Sequence, residues 1–364
     1  MSSTVNLVVA AVFLASACIF LAHATKRAVR KIIGERNYML ISLAKRKIIG
    51  KPPLSPAVKA FKNRNPDVPD LPNLIYVEMA MACNFGCKMC PVPESQKLMD
   101  GRRPSIMKPD TFALILDAIR DKPRYVWLTQ MGEPMLNKHL ANYVKIAKAD
   151  GHRVGFTTNG SLMTDAKAKE LLDAGIDYVV FSFDGATKDT FERIRIGGNY
   201  DEVVANIRRF AAINSETRPE GKRCTVQVDM LISDLTEHEV DAFHSMWKDI
   251  AIPQAHLIDN WAGQLDLPAE FGERRVPRQD GNRYPCNLMW KTAYVSASGQ
   301  AILCCHDYKL RSKLPRVHDK PLDLIWREDV RIERARHVAG DFTSPACANC
   351  QAWRGLQSPE QTVQ

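Results

Sequence analysis

The sequence predicts an α/β protein made of six strand–helix units in series, a (β/α)6 barrel. Three observations carry that expectation. From Leu74 onward, short β-type runs alternate with amphipathic stretches. The spacing of apolar residues switches each time from continuous or alternating to a period of 3.6. Gly151 and Gly175 follow two of the helical stretches, as helix C-caps do. Units in that order imply a parallel sheet with right-handed crossovers. All strand C-terminal ends then share one rim, where a barrel of this kind binds its ligands.

In chain order the strands fall at 74–82 (LIYVEMAMA), 124–129 (RYVWLT), 153–158 (RVGFTT), 177–183 (DYVVFSF), 224–232 (CTVQVDMLI) and 255–259 (AHLID). Helical stretches lie between them near 109–120, 137–149, 164–174, 200–213 and 236–249. The barrel unit therefore covers 74–260. A connector rich in Pro, Gly and Arg occupies 261–285, and a separate small domain is expected over 286–354, followed by a tail at 355–364. That domain holds a predicted hairpin: KTAYVSA, a turn at Ser298-Gly299, then QAILCC. Residues 52–72, rich in Pro and polar side chains, read as a linker.

Charge and hydropathy set the N-terminal part aside. The chain of 364 residues has a net charge of +9, and nine Lys/Arg against one acid, Glu35, lie between Lys26 and Lys51. The remainder is close to neutral, which argues against nucleic acid as the main partner. Ahead of the basic block, Thr4 to Thr25 contains no charged residue. About twenty apolar residues cross a bilayer as a helix. Positive charge on its C-terminal side alone predicts a single anchor at 4–25, with the body in the cytoplasm. Ala22-His23-Ala24 also fits a signal-peptide cleavage site, and a buried helix is the third reading. The basic segment at 26–73 either contacts anionic lipid or only sets topology.

Of ten cysteines, Cys18 and Cys224 stand apart and read as packing residues. The other eight form two groups, 83/87/90 and 286/304/305/347/350. Thiols stay reduced in a cytoplasmic chain, so clusters of them suggest metal. Three thiolates on the loop MACNFGCKMCP can hold three irons of a 4Fe–4S cluster, whose usual complement is four cysteines. The fourth iron is then open to a small molecule. Gly86 gives the loop its backbone freedom and Pro91 ends it. A zinc site completed by a distant ligand is the alternative.

This spacing after a first strand resembles the radical S-adenosylmethionine (radical SAM) superfamily. The resemblance covers about 74–354 and implies a partial TIM-like barrel. In that family the fourth iron chelates the amino and carboxylate groups of SAM, and reductive cleavage yields a 5′-deoxyadenosyl radical that abstracts hydrogen from substrate. Met89 stands where the family usually has an aromatic residue. Gln130-Met131-Gly132-Glu133-Pro134 is similar to the family's Gly-Gly-Glu-Pro motif, implying that Gly132 and Glu133 receive the SAM amino group. Thr158 and Asn159 after the third strand, and Ser182 and Asp184 after the fourth, look like segments that meet the SAM carboxylate or ribose. Arg195 in RIRIGGNY can pair with that carboxylate bidentately.

The tail resembles the auxiliary-cluster domains of the same superfamily, called SPASM when they hold two clusters. Cys286, twelve residues, Gly299, four residues and Cys304 precede Cys347-Ala348-Asn349-Cys350. Four thiolates serve one auxiliary 4Fe–4S cluster, the shortened "twitch" form. Cys305 leaves the register open by one, and a structural zinc ribbon is the alternative. A fully ligated cluster either accepts an electron from a substrate radical or braces the substrate pocket. The resemblance thus implies an oxidoreductase acting on a small-molecule or lipid-linked substrate. An electron donor such as flavodoxin or ferredoxin would serve it. A peptide maturase, and an iron–sulfur carrier or zinc module without SAM chemistry, are the other readings. Asp229 and Asp259, near late strand ends, are candidate proton acceptors. His306-Asp307 can lie next to the auxiliary site.

Overall fold

The computed structural model of the chain describes residues 55–93, 105–272 and 282–355. Ser55–Asn214 and Cys224–Val363 form one compact unit, which carries the whole sheet and the candidate site. Helix α1 (Pro56–Lys62) begins where a linker was expected. The Ser55 hydroxyl caps it by accepting from Val58 N at 3.3 Å, and Pro56 occupies the first turn. Phe61 folds it onto the body: it is fully buried, edge-on to Trp290 with 5.3 Å between ring centroids.

The units then follow in order. The first three strands and their helices are β1 (Leu74–Val77), α2 (Pro109–Ile119), β2 (Tyr125–Trp127), α3 (Leu140–Ala149), β3 (Arg153–Thr158) and α4 (Asp165–Asp173). Next come β4 (Tyr178–Ser182), α5 (Lys188–Ile194), α6 (Tyr200–Thr217), β5 (Thr225–Ile232), α7 (Val240–Trp247) and β6 (Ile252–Leu257). The tail adds α8 (Leu288–Lys291), β7 (Thr292–Val295), β8 (Ala301–Ile302), α9 (Leu322–Leu324), a π-wound turn (Ile325–Asp329) and α10 (Val330–Val338). Helices cover the sheet through apolar stripes: α2 buries Phe112, Ile115, Leu116 and Ile119. Thr164 and Thr187 cap α4 and α5 by accepting from Lys167 N and Thr190 N.

The sheet runs β6-β5-β4-β3-β2-β1-β7-β8, and every pair from β6 to β7 is parallel. It is an α/β sheet with two edges, the partial form of a barrel. The hairpin expected in the tail is present, and its first strand joins the main sheet. β7 pairs in parallel with β1 from Leu74↔Thr292 to Val77↔Val295, and only β8 turns back antiparallel. β1 has β2 on one side, so its other backbone edge would stand open without β7. β1 ends at Val77, five residues earlier than expected; Glu78 N still donates to Val295 O at 2.9 Å, and beyond it Ala80 makes an isolated antiparallel bridge with Ile106. β6 begins at Ile252, leaving Asp259 in the loop beyond it. Among the described residues no helix is long and apolar enough to cross a membrane. The anchor expected at 4–25 and the basic segment up to residue 54 lie outside them.

Candidate active site

The chain leaving β1 reaches the rim and turns into the cysteine loop. Gly86 N donates to Ile196 O at 2.8 Å and Lys88 N to Ile194 O at 3.4 Å, which ties the loop to the C-terminal end of α5 and the residues just beyond it. Within it, Phe85 N donates to Cys83 Sγ at 3.4 Å. Cys83, Cys87 and Cys90 all face one cavity of about 650 Å³. Burial pushes the Cys83 thiol up to about 11 and the Cys90 thiol up to about 12, and raises Cys87 as well. As bare thiols they stay protonated; a cationic metal core inverts that balance and takes the thiolates. Among the described residues no three His, Cys, Asp or Glu side chains gather as for a single ion. Three soft donors spread around one cavity fit a multi-iron cube better than one zinc.

The turn after β2 packs directly on this chain. A Cβ on Gly132 would stand 2.1 Å from Ala80 O and 2.3 Å from Ala82 O, so only glycine fits. Glu133 N donates to Ala82 O at 2.8 Å. The Glu133 carboxylate is 2% exposed and already has three protein donors: Met135 N (3.0 Å), Thr158 Oγ1 (2.7 Å) and Asn159 N (2.8 Å). It therefore fixes the Thr158–Asn159 turn. Asn159 Nδ2 in turn reaches Asn84 Oδ1 at 2.9 Å and Cys83 Sγ at 3.8 Å.

Gly132, Glu133, Thr158, Asn159, Ser182 and Arg195 line the cavity. Asp184 stands behind them, 1% exposed. Its Oδ2 accepts from Arg195 Nε at 2.7 Å and its Oδ1 from Leu231 N at 2.7 Å. Sequence reasoning missed Glu78, a buried carboxylate just past β1. It accepts from Ala297 N at 3.0 Å and from the backbone of Met131 and Gly132, and burial lifts its pKa to about 7. Its signal was present as an acid inside the apolar run LIYVEMAMA.

In the tail, the Cys286, Cys304, Cys347 and Cys350 thiols lie close enough to feel one another's charge. Burial, then these neighbours, lift Cys286 to about 12 and Cys347 further. A tight turn supplies the last two, with Cys350 N donating to Cys347 O at 3.0 Å. The donor set fits a four-thiolate cluster. Cys305 lines the 650 Å³ cavity, together with His306. Its Sγ lies 3.6 Å from His306 Nδ1, and His306 Nε2 lies 3.4 Å from Asp259 Oδ2. Burial alone would raise the Cys305 thiol, but His306 beside it brings it below its usual range. Asp229 is on the same wall. Burial raises its pKa, and Gln227 Nε2 donates to it at 2.7 Å. The three loop thiols and the residue next to Cys304 thus line one cavity. Asp307 points elsewhere, its carboxylate accepting from Arg311 N and Ser312 N.

Comparisons with known proteins agree with this layout. The radical SAM superfamily profile matches residues 77–246, and that of the iron–sulfur cluster-binding SPASM domain matches 286–351. A tungsten-containing aldehyde ferredoxin oxidoreductase cofactor-modifying protein from Pyrococcus furiosus is 34% identical over 319 residues, 76% of this chain and 86% of that one. A GTP 3′,8-cyclase from Desulforamulus reducens is 29% identical over 184 residues, half of this chain and 53% of its own length. Among solved structures, BtrN in complex with AdoMet and 2-DOIA shares the fold, with a TM-score of 0.52 and 17% identity. The match covers 80% of this chain and 98% of BtrN. Streptococcus suis SuiB bound to precursor peptide SuiA gives a TM-score of 0.57 at 12% identity, covering 84% of this chain and 77% of SuiB. The chain belongs to the radical SAM superfamily. It is an enzyme with a C-terminal SPASM-type domain, and its cofactors are SAM, a SAM-binding 4Fe–4S cluster and an auxiliary iron–sulfur centre.

Proposed function

We propose that this enzyme removes a hydrogen atom from a carbon of a small-molecule or lipid-linked substrate held between its two clusters. Cys83, Cys87 and Cys90 would hold the SAM-binding cluster, which supplies the electron that splits SAM to a 5′-deoxyadenosyl radical. Cys286, Cys304, Cys347 and Cys350 would hold the auxiliary one. The observation that carries the reading is the shared cavity: the loop thiols and Cys305-His306 line the same one. Its volume, about 650 Å³, is that of a pocket for small ligands. SAM must share that space, which leaves room for a small organic substrate, and modification of a cofactor-like molecule is in keeping with the Pyrococcus relative's name.

Gly132 and Glu133 fix the turn that meets SAM, with Thr158, Asn159 and Ser182 beside it. For an alcohol substrate, Asp229 or Asp259 on the cavity wall would take the hydroxyl proton; bound SAM would supply the 5′-deoxyadenosyl radical that takes the hydrogen atom, and the auxiliary cluster would accept the remaining electron. The product is then oxidised by two electrons. An electron donor of the flavodoxin or ferredoxin kind would reduce the first cluster. The apolar segment at 4–25 would anchor the enzyme, with its body in the cytoplasm and lipid-linked molecules within reach.

The test is direct. Anaerobic protein with SAM and dithionite should release 5′-deoxyadenosine, and Cys83→Ala should abolish it. Zinc in place of iron and sulfide, or intact SAM, would sink the reading. Lipid and polar extracts from cells with and without the enzyme should then differ by two mass units in one compound.

A further inference from the structure

We propose that the buried Arg195–Asp184 pair sets the reduction potential of the cluster at Cys83, Cys87 and Cys90. The guanidinium raises that potential, and the carboxylate moderates the effect. The proposal rests on the reading of those three thiols as cluster ligands and goes beyond it.

The Arg195 fork is occupied inside the protein. Nε donates to Asp184 Oδ2 at 2.7 Å, and Nη2 lies 2.6 Å from the same oxygen in the ion pair. The remaining nitrogen, Nη1, lies 3.8 Å from Cys87 Sγ. The two side chains are 12% and 1% exposed, so water screens the pair weakly. Leu231 N near the end of β5 donates to Asp184 Oδ1 at 2.7 Å and holds the carboxylate in place against Arg195. The result is a fixed dipole with its positive end on a ligand sulfur. Arg195 itself stays in place because Gly86 N and Lys88 N pin the cysteine loop to the carbonyls on either side of it.

Reduction adds one negative charge to a cluster. A cation beside a ligand sulfur stabilises that form, and a hydrogen bond to the sulfur acts the same way. The other donors to loop thiols are neutral: Phe85 N and Asn159 Nδ2 serve Cys83, and the Val92 backbone serves Cys90. Among the described residues Arg195 is the charged side chain hydrogen-bonded to a thiol of this loop. Sequence resemblance gives it the SAM carboxylate instead, a role that would need its fork free.

The experiment is a potentiometric titration of the reconstituted full-length protein without SAM, followed by electron paramagnetic resonance. The first cluster's signal is identified in a parallel sample by its change when SAM is added. Arg195→Gln should move the midpoint negative, so that the reduced-to-oxidised ratio at the wild-type midpoint falls several-fold. Asp184→Asn should move it positive. Iron and sulfide content should match wild type in both. If Arg195→Gln fails to assemble, Arg195→Lys carries the test with Asp184→Asn. The first should stay near the wild-type midpoint and the second rise above it. Unmoved midpoints, or shifts of the same sign, overturn the proposal. So does a wild-type midpoint in Arg195→Gln with weakened SAM binding, which would return the guanidinium to the SAM carboxylate. Failure of the underlying reading looks different: the wild-type protein would then lack iron and sulfide at this loop.

Discussion

Cys304 and Cys305 are neighbours in sequence that both touch His306 but otherwise face different groups. The first is near Cys286, Cys347 and Cys350, and the second lines the cavity. Cys304→Ser should therefore lose the auxiliary cluster, dropping iron from about eight to about four per chain. Cys305→Ser should keep both clusters. Iron and sulfide analysis of the two variants decides the register, and equal losses would refute this assignment. Glu78 offers a second residue-level test. Burial raises its carboxyl from an ordinary 4.5 to about 7, so the folded state binds this proton more tightly than the unfolded chain does. Its contribution to stability is fully present below pH 4.5 and is lost as pH rises through 7. The loss is on the order of 3 kcal/mol. Glu78→Gln should flatten that part of the stability profile, measured by denaturant unfolding from pH 4.5 to 7.5. A slope unchanged from wild type would show that other groups produce it.

At the scale of elements, the site depends on how closely neighbouring turns approach. Gly132 has no room for a side chain because Ala80 O and Ala82 O press on it. Gly132→Ala must push the β2 turn away from the cysteine loop and carry Glu133 with it. We expect a loss of about 2 kcal/mol in stability, typical of overpacking, and at least tenfold weaker SAM binding. Thermal unfolding and equilibrium dialysis would check these, and wild-type SAM affinity would contradict the packing argument. The strands at 153–158, 177–183 and 224–232 were legible because a buried parallel strand is a short apolar run whatever surrounds it. Helix α1 was not, since its seven residues bury a single large side chain, Phe61, and a stripe of one has no period.

Across the whole molecule, the pairing of β7 with β1 joins the tail to the barrel. Glu78 reinforces the joint by accepting from Ala297 just past β7 and from the Met131–Gly132 turn. A chain truncated at residue 285 should therefore aggregate, because β1 would present an open edge. A soluble, SAM-binding fragment would contradict this and make the tail an independent domain. The sequence by itself determined the class: alternating units and two sets of thiols survive any detail of packing, since periodicity and ligand spacing are local properties. Tertiary structure alone decided which groups meet. It took the Glu133 carboxylate and the Arg195 fork into the protein's own hydrogen bonds, split Cys305 from Cys304, and built Glu78 into the joint between β1 and β7. Those outcomes depend on distances between residues far apart in the chain, and no local pattern of residues records them.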